Sequence, residues 1–245
     1  MIRRPPRSTL SSSSAASDVY KRQVCEGATM LDAHAVTLSP AETFVMNLIL
    51  LAIIGWSMWK AEKGLNPGND VAVLFILGIF AVSGRVLLEP LPNVQPVTVV
   101  VLLAGIHYGA PRSVVLATSV ALVSNLFLGH GIWTLYQAAA WSLVGVSGAL
   151  LSQRLTPSGS ISVPRVAVLS VAAAFIFDWT VSLSALHSFG AEMLPLYIVS
   201  GIPFDVLHAS GNVFFVAWLA TPLSEMMSRH NLRRTVVREA VASRI

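Results

Sequence analysis

The chain has 245 residues, of which 54% are apolar and 11% charged, and its formal net charge is +4 at pH 7. Soluble domains carry about 25% charged residues, so the composition argues against a soluble fold and predicts an all-α, polytopic helical membrane protein. The lysines and arginines are scattered over loops and tail, without the basic face of a nucleic-acid-binding fold. The single cysteine, Cys25, excludes an internal disulfide and a multi-thiolate metal site, and we expect no bound metal.

Residues 1–23 differ in kind from the rest of the chain. They hold a basic, proline-containing start, four serines at 11–14 and the string Lys21-Arg22-Gln23, and they resemble translated sequencing-adapter read-through. The alternative is a basic disordered leader, since the apolar core of a secretory signal is missing. We expect residues 24–41 to form a short external segment. Residues 1–30 hold five of the 16 basic and two of the 12 acidic residues, so the remainder has a net charge of +1.

Seven apolar runs follow, each predicted to cross a hydrocarbon core about 30 Å thick. They are residues 42–59, 70–88, 95–108, 112–128, 133–153, 163–186 and 200–223. The third run is short, and Gly109-Ala110-Pro111 separates it from the fourth because proline ends a helix. Residues 91–94 and 129–131 are predicted to form the other tight turns.

The positive-inside rule orients these spans. The loops on one side, with the C-terminal end, hold the lysines and arginines. The loops on the other side hold none once residues 1–23 are set aside. We therefore predict that the C-terminus, with a basic tail over residues 225–245, is cytoplasmic and that the authentic N-terminus is external.

Polar side chains within the predicted spans concentrate in the external half of the membrane. Such residues cost free energy in a bilayer, and they commonly mark substrate pathways. We expect a polar cup that opens to the outside and is sealed by apolar helix ends. The candidate substrate-binding residues are Asn93, Gln95, Asn125, Trp133, Gln137, Trp141, Asp178, Asp205, His208 and Asn212.

Spacing groups some of these residues on common helix faces. Offsets of three and four place Asp205, His208 and Asn212 on one face, and Gln137 and Trp141 share a face in the same way. The structural alternative is that Asp205 and His208 form a neutral hydrogen-bonded pair that joins two helices.

Two other groups have equally plain alternatives. Arg85 and Glu89 are four residues apart and could pair with each other at the membrane interface. Trp133 could be an interfacial anchor, as tryptophans at headgroup level usually are. The substrate site is therefore predicted from the location of these polar residues together in the external half of the membrane, rather than from any single residue.

Several catalytic and energising motifs are missing from the sequence. It has no phosphate-binding loop of the Gly-x-x-x-x-Gly-Lys-Ser/Thr type, so the chain is not expected to hydrolyse ATP by itself. It also lacks His-Glu-x-x-His and Gly-x-Ser-x-Gly motifs. The spans show no evident duplication of the kind found in inverted-repeat transporters. Uptake against a gradient would therefore need an external energy source.

Four segments resemble a known family. They are residues 91–98 (LPNVQPVT), 103–109 (LAGIHYG), 124–137 (SNLFLGHGIWTLYQ) and 204–212 (FDVLHASGN). Together they resemble the substrate-binding S components of energy-coupling factor (ECF) importers for vitamins and micronutrients. The likeness covers about residues 71–223.

The resemblance implies a fold, a function and partners. It implies a six-helix membrane domain, here residues 70–224, with a substrate pocket on the external side. It implies that the chain is not an enzyme and holds no cofactor, while a transmembrane coupling subunit and two ATPase subunits use ATP. The implied location is a bacterial or archaeal cytoplasmic membrane. The chain departs from the family in an extra N-terminal transmembrane helix at residues 42–60.

The family couples to its partner through small residues that let helices approach closely. By resemblance, the candidate coupling-subunit contacts are Gly78, Ala81, Gly84, Ala117 and Ala121. Ordinary packing within the monomer is the alternative.

Two other functions stay open. Asp178, Asp205 and His208 could serve as acid–base groups of an intramembrane enzyme, or the protein could be a structural or sensory membrane protein without a ligand. Aromatic residues in the site suit a planar heterocycle such as a flavin, a pterin or a deazapurine. A general likeness favours cobalamin or a precursor. The sequence leaves open whether the energising module is dedicated or shared.

Overall fold

The computed structural model describes residues 39–62 and 69–242, and the secondary structure within these ranges is helical. The predictions for residues 1–38, which cover the leader and most of the external segment, lie outside the described residues. The helices are α1 (Pro40–Glu62), α2 (Asn69–Leu87), α3 (Val97–Tyr108), α4 (Ala110–Leu128), α5 (Trp133–Leu150), α6 (Ser152–Leu155), α7 (Val163–Ser182), α8 (Leu186–Phe189) and α9 (Leu194–Ala242). Single 3-10 turns lie at Pro157–Gly159 and Leu183–Ala185.

Three helices are long and apolar enough to cross a membrane, judged on the described residues. They are Ala110–Leu128, Val163–Phe189 and Leu194–Asn231. Shorter apolar helices occupy Pro40–Leu50, Ala72–Leu87 and Val97–Tyr108. The described chain is therefore all-helical with candidate membrane spans.

Glycine and proline fix the turns between helices. Gly109 has a φ of 83°, which ends α3, and Pro111 occupies the first turn of α4. Gly129 ends α4 with a φ of 105°. Asn93, in the turn after α2, has a φ of 58°, a conformation that asparagine tolerates better than most residues. The predicted breaks at these three places are confirmed.

Other helix ends differ from the prediction. The run predicted at 133–153 breaks after Leu150, and α6 resumes at Ser152. The last helix begins at Leu194 and continues to Ala242, so most of the predicted tail extends this helix. Pro203 and Pro222 lie within α9. Proline removes one backbone hydrogen bond but need not end a helix when tertiary packing supports both sides.

The centre of the bundle is α3. Eleven of its twelve residues are buried, and it packs against α2, α4, α5, α7 and α9. A helix that is apolar all round belongs in an interior, and residues 97–104 fit that rule apart from Thr98. In contrast, α1 packs chiefly against α4 at the edge of the bundle.

Glycines bring α3 and α5 into backbone contact. A Cβ at Gly105 would lie 2.0 Å from the Gly145 carbonyl oxygen, and one at Gly148 would lie 2.5 Å from the Leu102 oxygen. Small residues allow this approach where lipid supplies no hydrophobic drive between helices.

The residues predicted to contact a coupling subunit lie at contacts within the chain. Ala81, Ala117 and Ala121 are fully buried. Gly84 faces the ring of Pro96, where a Cβ would lie 2.5 Å from Cγ. This placement accounts for the small residues by packing within the monomer, and a contact with another subunit stays a prediction.

The α3–α5 contact predicts a difference between two glycines. We expect Gly105→Ala to lower the Tm in detergent by about 5 °C or more, because the added methyl group forces α3 and α5 apart. Gly78→Ala is the matched control, since its Cβ would meet Leu116 Cδ1 at an ordinary 3.7 Å. Heating followed by size-exclusion chromatography measures both values, and equal Tm values for the two variants would contradict the predicted contact.

Candidate functional site

The helices bring polar side chains together at one end of the bundle, which we call the polar end. It comprises the C-terminal turns of α2, α4 and α7, the N-terminal turns of α3 and α5, and the part of α9 around Asp205. Hydrogen bonds between side chains of these helices show that they share one end. The polar end consists of two clusters that meet at Trp141.

The first cluster surrounds Arg85, whose side chain is only 6% exposed. Its Nε donates to Gln95 Oε1 at 3.1 Å, and its Nη1 donates to Asn125 Oδ1 at 2.8 Å and also to Ser124 Oγ. Asn125 Nδ2 donates onward to Gln137 Oε1 at 2.8 Å. This Arg85 cluster links α2 and the turn after it to α4 and α5.

Asn125 is saturated by protein groups. Besides Gln137, its Nδ2 donates to Thr134 Oγ1 at 2.8 Å, and its Oδ1 accepts from Arg85. The side chain is 1% exposed. Asn125 therefore acts by positioning Arg85 and Gln137, whereas Gln95 and Gln137 keep amide N–H groups without acceptors among the described residues.

The second cluster surrounds His208. Its Nδ1 lies 2.9 Å from Asp178 Oδ2, and its Nε2 lies 3.0 Å from Thr98 Oγ1. Trp141 Nε1 donates to the same Thr98 oxygen at 3.2 Å. Asn93 Nδ2 donates to the other Asp178 oxygen at 3.3 Å. The His208 cluster therefore joins the turn before α3 to α3, α5, α7 and α9.

The bond between Trp141 and Thr98 has a fixed direction. The indole N–H of Trp141 can only donate, so the Thr98 hydroxyl oxygen accepts that bond. The same oxygen lies 3.0 Å from His208 Nε2, and a hydroxyl can still donate or accept there because its oxygen has a second lone pair. The Thr98 hydroxyl is therefore the point where Trp141 of α5 and His208 of α9 meet.

Aromatic rings lie between and beside the two clusters. The guanidinium carbon of Arg85 is 5.0 Å from the centroid of a Trp141 ring, which is within cation–π range. Phe177 packs on Trp141 with ring centroids 4.6 Å apart, and it contacts His208 edge to face at 5.3 Å. These rings form an apolar wall between the positive and negative parts of the polar end.

Three further residues predicted for the site make contacts outside the two clusters. Asp205 is 4% exposed and accepts a hydrogen bond from Trp179 Nε1 at 3.0 Å. Asn212 lies further along α9 and donates to the Ser170 carbonyl oxygen at 3.0 Å, so it joins α9 to α7. Trp133 is buried beside Gly131 at the start of α5.

Two alternative pairings from the sequence differ from the structure. Arg85 bonds Gln95, Ser124 and Asn125 rather than Glu89, which is exposed. His208 bonds Asp178 rather than Asp205. Both differences arise because partners distant in sequence approach from other helices, and spacing along one helix cannot reveal them.

Sequence reasoning missed several members of the clusters. The binding residues predicted from the sequence do not include Arg85, and they also omit Ser124, Thr98, Thr134 and Trp179. An arginine inside an apolar run is itself a functional signal. Hydroxyl residues give no comparable signal, because they are common in membrane helices, where they often bond the backbone carbonyl one turn earlier.

The edge helix α1 is hydrogen-bonded to this site through the α4–α5 turn. His130 Nε2 lies 2.8 Å from Asn47 Oδ1 of α1, and its Nδ1 lies 3.3 Å from Thr134 Oγ1. Thr134 in turn accepts from Asn125. A continuous set of hydrogen bonds therefore runs from α1 to Arg85.

Polar groups also gather at the opposite end, so the predicted concentration at one end is incomplete. His107 Nε2 lies 2.8 Å from Ser224 Oγ, and Asn231 Nδ2 donates to the His107 carbonyl oxygen at 2.6 Å. Beside them is an open cavity of about 400 Å³, lined by residues that include Ser160, Thr221, Glu225 and Arg229. Among the described residues, no three His, Cys, Asp or Glu side chains are grouped closely enough to hold a metal ion.

The chain belongs to a family of unknown function, DUF6580, whose model matches residues 65–233. No curated protein and no solved structure matches the chain. The matched region contains both clusters of the polar end and begins after α1 ends at Glu62. The part of the site that α1 supplies, Asn47, therefore lies outside the matched region.

The turn residue His130 predicts a pH effect on stability. Burial lowers its pKa below the ordinary value, so the folded state binds its proton less well than the unfolded state. The stability linked to neutral His130 is complete above the unfolded pKa, about 6.5, and is lost as the pH falls through that value. We expect wild-type protein to lose more Tm between pH 7.5 and 5.5 than His130→Gln does.

The control for this measurement is Asn47→Ala. It removes the hydrogen-bond partner on α1 but keeps the imidazole, so it should lower the Tm at every pH and retain a wild-type pH dependence. Identical pH profiles for wild type and His130→Gln would overturn the role of His130.

Proposed function

We propose that the protein is the membrane-embedded S component of an ECF-type importer, which captures a vitamin or related micronutrient on the external side. The observation that carries this proposal is the polar end, where side chains from α2, α3, α4, α5, α7 and α9 form two joined clusters. Buried polar residues in a membrane protein face a cavity or a functional pathway far more often than lipid.

The chemistry of the polar end suits a flat ligand with polar edges. Trp141 and Phe177 bring apolar aromatic rings to the polar end, and Gln95, Gln137 and Asp205 have hydrogen-bonding capacity beyond their described bonds. Such a mixture of apolar walls and a few placed polar groups is the usual composition of a small-molecule pocket. The apolar body of α3 would close the floor of the pocket.

The proposal also includes the topology that the sequence predicts. Six helices, α2–α5, α7 and α9, would form the binding domain, and α1 would add a seventh span with an external start. By the positive-inside rule, the end of α9 with its basic residues would then lie in the cytoplasm. A coupling subunit and two ATPase subunits would supply the energy, since the sequence has no nucleotide-binding loop.

Native mass spectrometry of the full chain, purified in mild detergent from cells grown in rich medium, tests this proposal. We expect a stoichiometric adduct with the mass of a vitamin or its precursor. Cobalamin and its precursors are the first masses to compare. An empty protein whose Tm does not respond to a panel of vitamins would contradict the proposal and favour a ligand-free structural or sensory role.

The Arg85 cluster predicts the effect of removing the Asn125 amide. We expect Asn125→Leu to lower ligand affinity at least about tenfold, or roughly 1.4 kcal/mol, because Arg85 and Gln137 lose the group that orients them. Asn231→Leu is the matched control, since its amide bonds His107 at the opposite end. Isothermal titration with the ligand found by mass spectrometry measures both, and unchanged affinity in folded Asn125→Leu would refute this role.

A second candidate function rests on Thr98, His208 and Asp178. A hydroxyl, an imidazole and a carboxylate in series, with separations of 3.0 and 2.9 Å, have the order of a nucleophile, its base and an orienting acid. This arrangement supports an intramembrane acyl-transfer enzyme as the second candidate. A change with time in the mass of the bound compound would favour it.

Two features make capture the preferred function. The Thr98 side chain is 1% exposed, so a substrate carbonyl has little access to its oxygen. The same oxygen accepts the Trp141 N–H, a bond that withdraws electron density from a nucleophile. Both features suit a hydroxyl that holds Trp141 and His208 in place.

A further inference from the structure

The charge on Arg85 is not matched by a carboxylate among the described residues. Its hydrogen-bond acceptors are Gln95, Ser124 and Asn125, all of them neutral, whereas the Asp178 carboxylate bonds His208 and Asn93 instead. A buried ion without a counter-ion is strongly unfavourable unless something compensates it. The aromatic face of Trp141 compensates only in part.

The Arg85 guanidinium also has hydrogen-bond donors that its described bonds do not use. It has five N–H groups, and its described bonds engage Nε and Nη1, so the two N–H groups of Nη2 have no acceptor among the described residues. The three bonds hold the guanidinium by its other nitrogens, which fixes the plane and direction of the group. A preorganised guanidinium of this kind recognises anionic oxygens.

The acids at the polar end cannot easily supply that anion. Asp178 already accepts from His208 and Asn93, and Asp205 accepts from Trp179 on α7. Arg85 contacts Trp141, which packs on Phe177, and Phe177 in turn contacts His208, the partner of Asp178. The polar end is therefore divided into a cationic part at α2 and α4 and an acidic part at α7 and α9.

We propose that Arg85 is the recognition group for an anionic oxygen group, a carboxylate or a phosphate, on the captured molecule. This proposal rests on the proposed capture function and narrows its substrate class to anions. The ligand's charge completes the missing ion pair. A neutral analogue leaves the guanidinium buried and unpaired, so it binds more weakly.

Matched pairs of probes test this. The probes are nicotinate and nicotinamide, biotin and biotin amide, pantothenate and panthenol, and pyridoxal phosphate and pyridoxal. Any compound that co-purifies is tested with its neutral derivative. Thermal shift and isothermal titration are carried out on the full chain as wild type, Arg85→Gln and Arg85→Lys, with Arg112→Gln as the matched control. Arg112 is also buried but lies at the opposite end, where it donates to the Tyr108 carbonyl oxygen at 3.0 Å.

We expect at least one anion to bind wild type, and its neutral partner to bind at least about tenfold more weakly. Arg85→Gln should lose this discrimination, Arg85→Lys should retain part of it, and Arg112→Gln should retain all of it. Nicotinate, biotin and pantothenate carry a carboxylate, whereas pyridoxal phosphate carries a phosphate. The pair that shows the difference in affinity therefore identifies the anionic group that is recognised. If Arg85→Gln does not fold, the affinities of wild type and Arg85→Lys for each anion and its neutral partner still test whether Arg85 recognises the anion.

The failures of the two proposals are distinguishable. A tight ligand that binds equally well in its neutral form, or that Arg85→Gln binds with unchanged affinity, overturns anion recognition and leaves capture intact. Absence of any co-purified compound, together with no response to any probe, overturns both.

Discussion

The packing of α3 against the helices around it is the constraint on which the structure depends. Eleven of its twelve residues are buried, and its contact with α5 is close enough that Gly105 and Gly145 meet through backbone atoms. Thr98 is near the N-terminus of this helix, at the polar end, and the surrounding helices leave it only 1% exposed. Trp141 and His208 bond to it from α5 and α9, so the central helix positions the acidic half of the polar end.

The fold was largely predictable where the sequence contains a local signal. Gly109 and Gly129 end helices with positive φ angles. A long apolar run predicts a helix from its composition. The extent of α9 was not predictable in this way. A proline usually marks the end of a helix, but α9 continues past Pro222 to Ala242. Residues on both sides of Pro222, such as Ala220 and Met227, are fully buried. Contacts with other helices cannot be deduced from the local sequence pattern around a proline.

The candidate site was predictable as a set of residues but not as a network. Asn125, Gln137, Asp178 and His208 were each visible as polar residues in apolar runs, and the structure brings them into two clusters. Their partners could not be deduced, because Arg85 and Asn125 are 40 residues apart and His208 and Thr98 are 110 apart. Helix order places residues at one end of a bundle, whereas pairing depends on rotations that the sequence does not specify.

The two prolines of α9, Pro203 and Pro222, divide the helix into three segments. The segment from Pro203 to the residue before Pro222 is about 28 Å long at 1.5 Å per residue, and it carries Asp205 and His208. Each proline removes one backbone hydrogen bond, and kinks in helices occur most often at proline. A bend at Pro203 or Pro222 would therefore change the direction of this segment while the bonds of Ser224 and Asn231 to His107, beyond Pro222, stay in place.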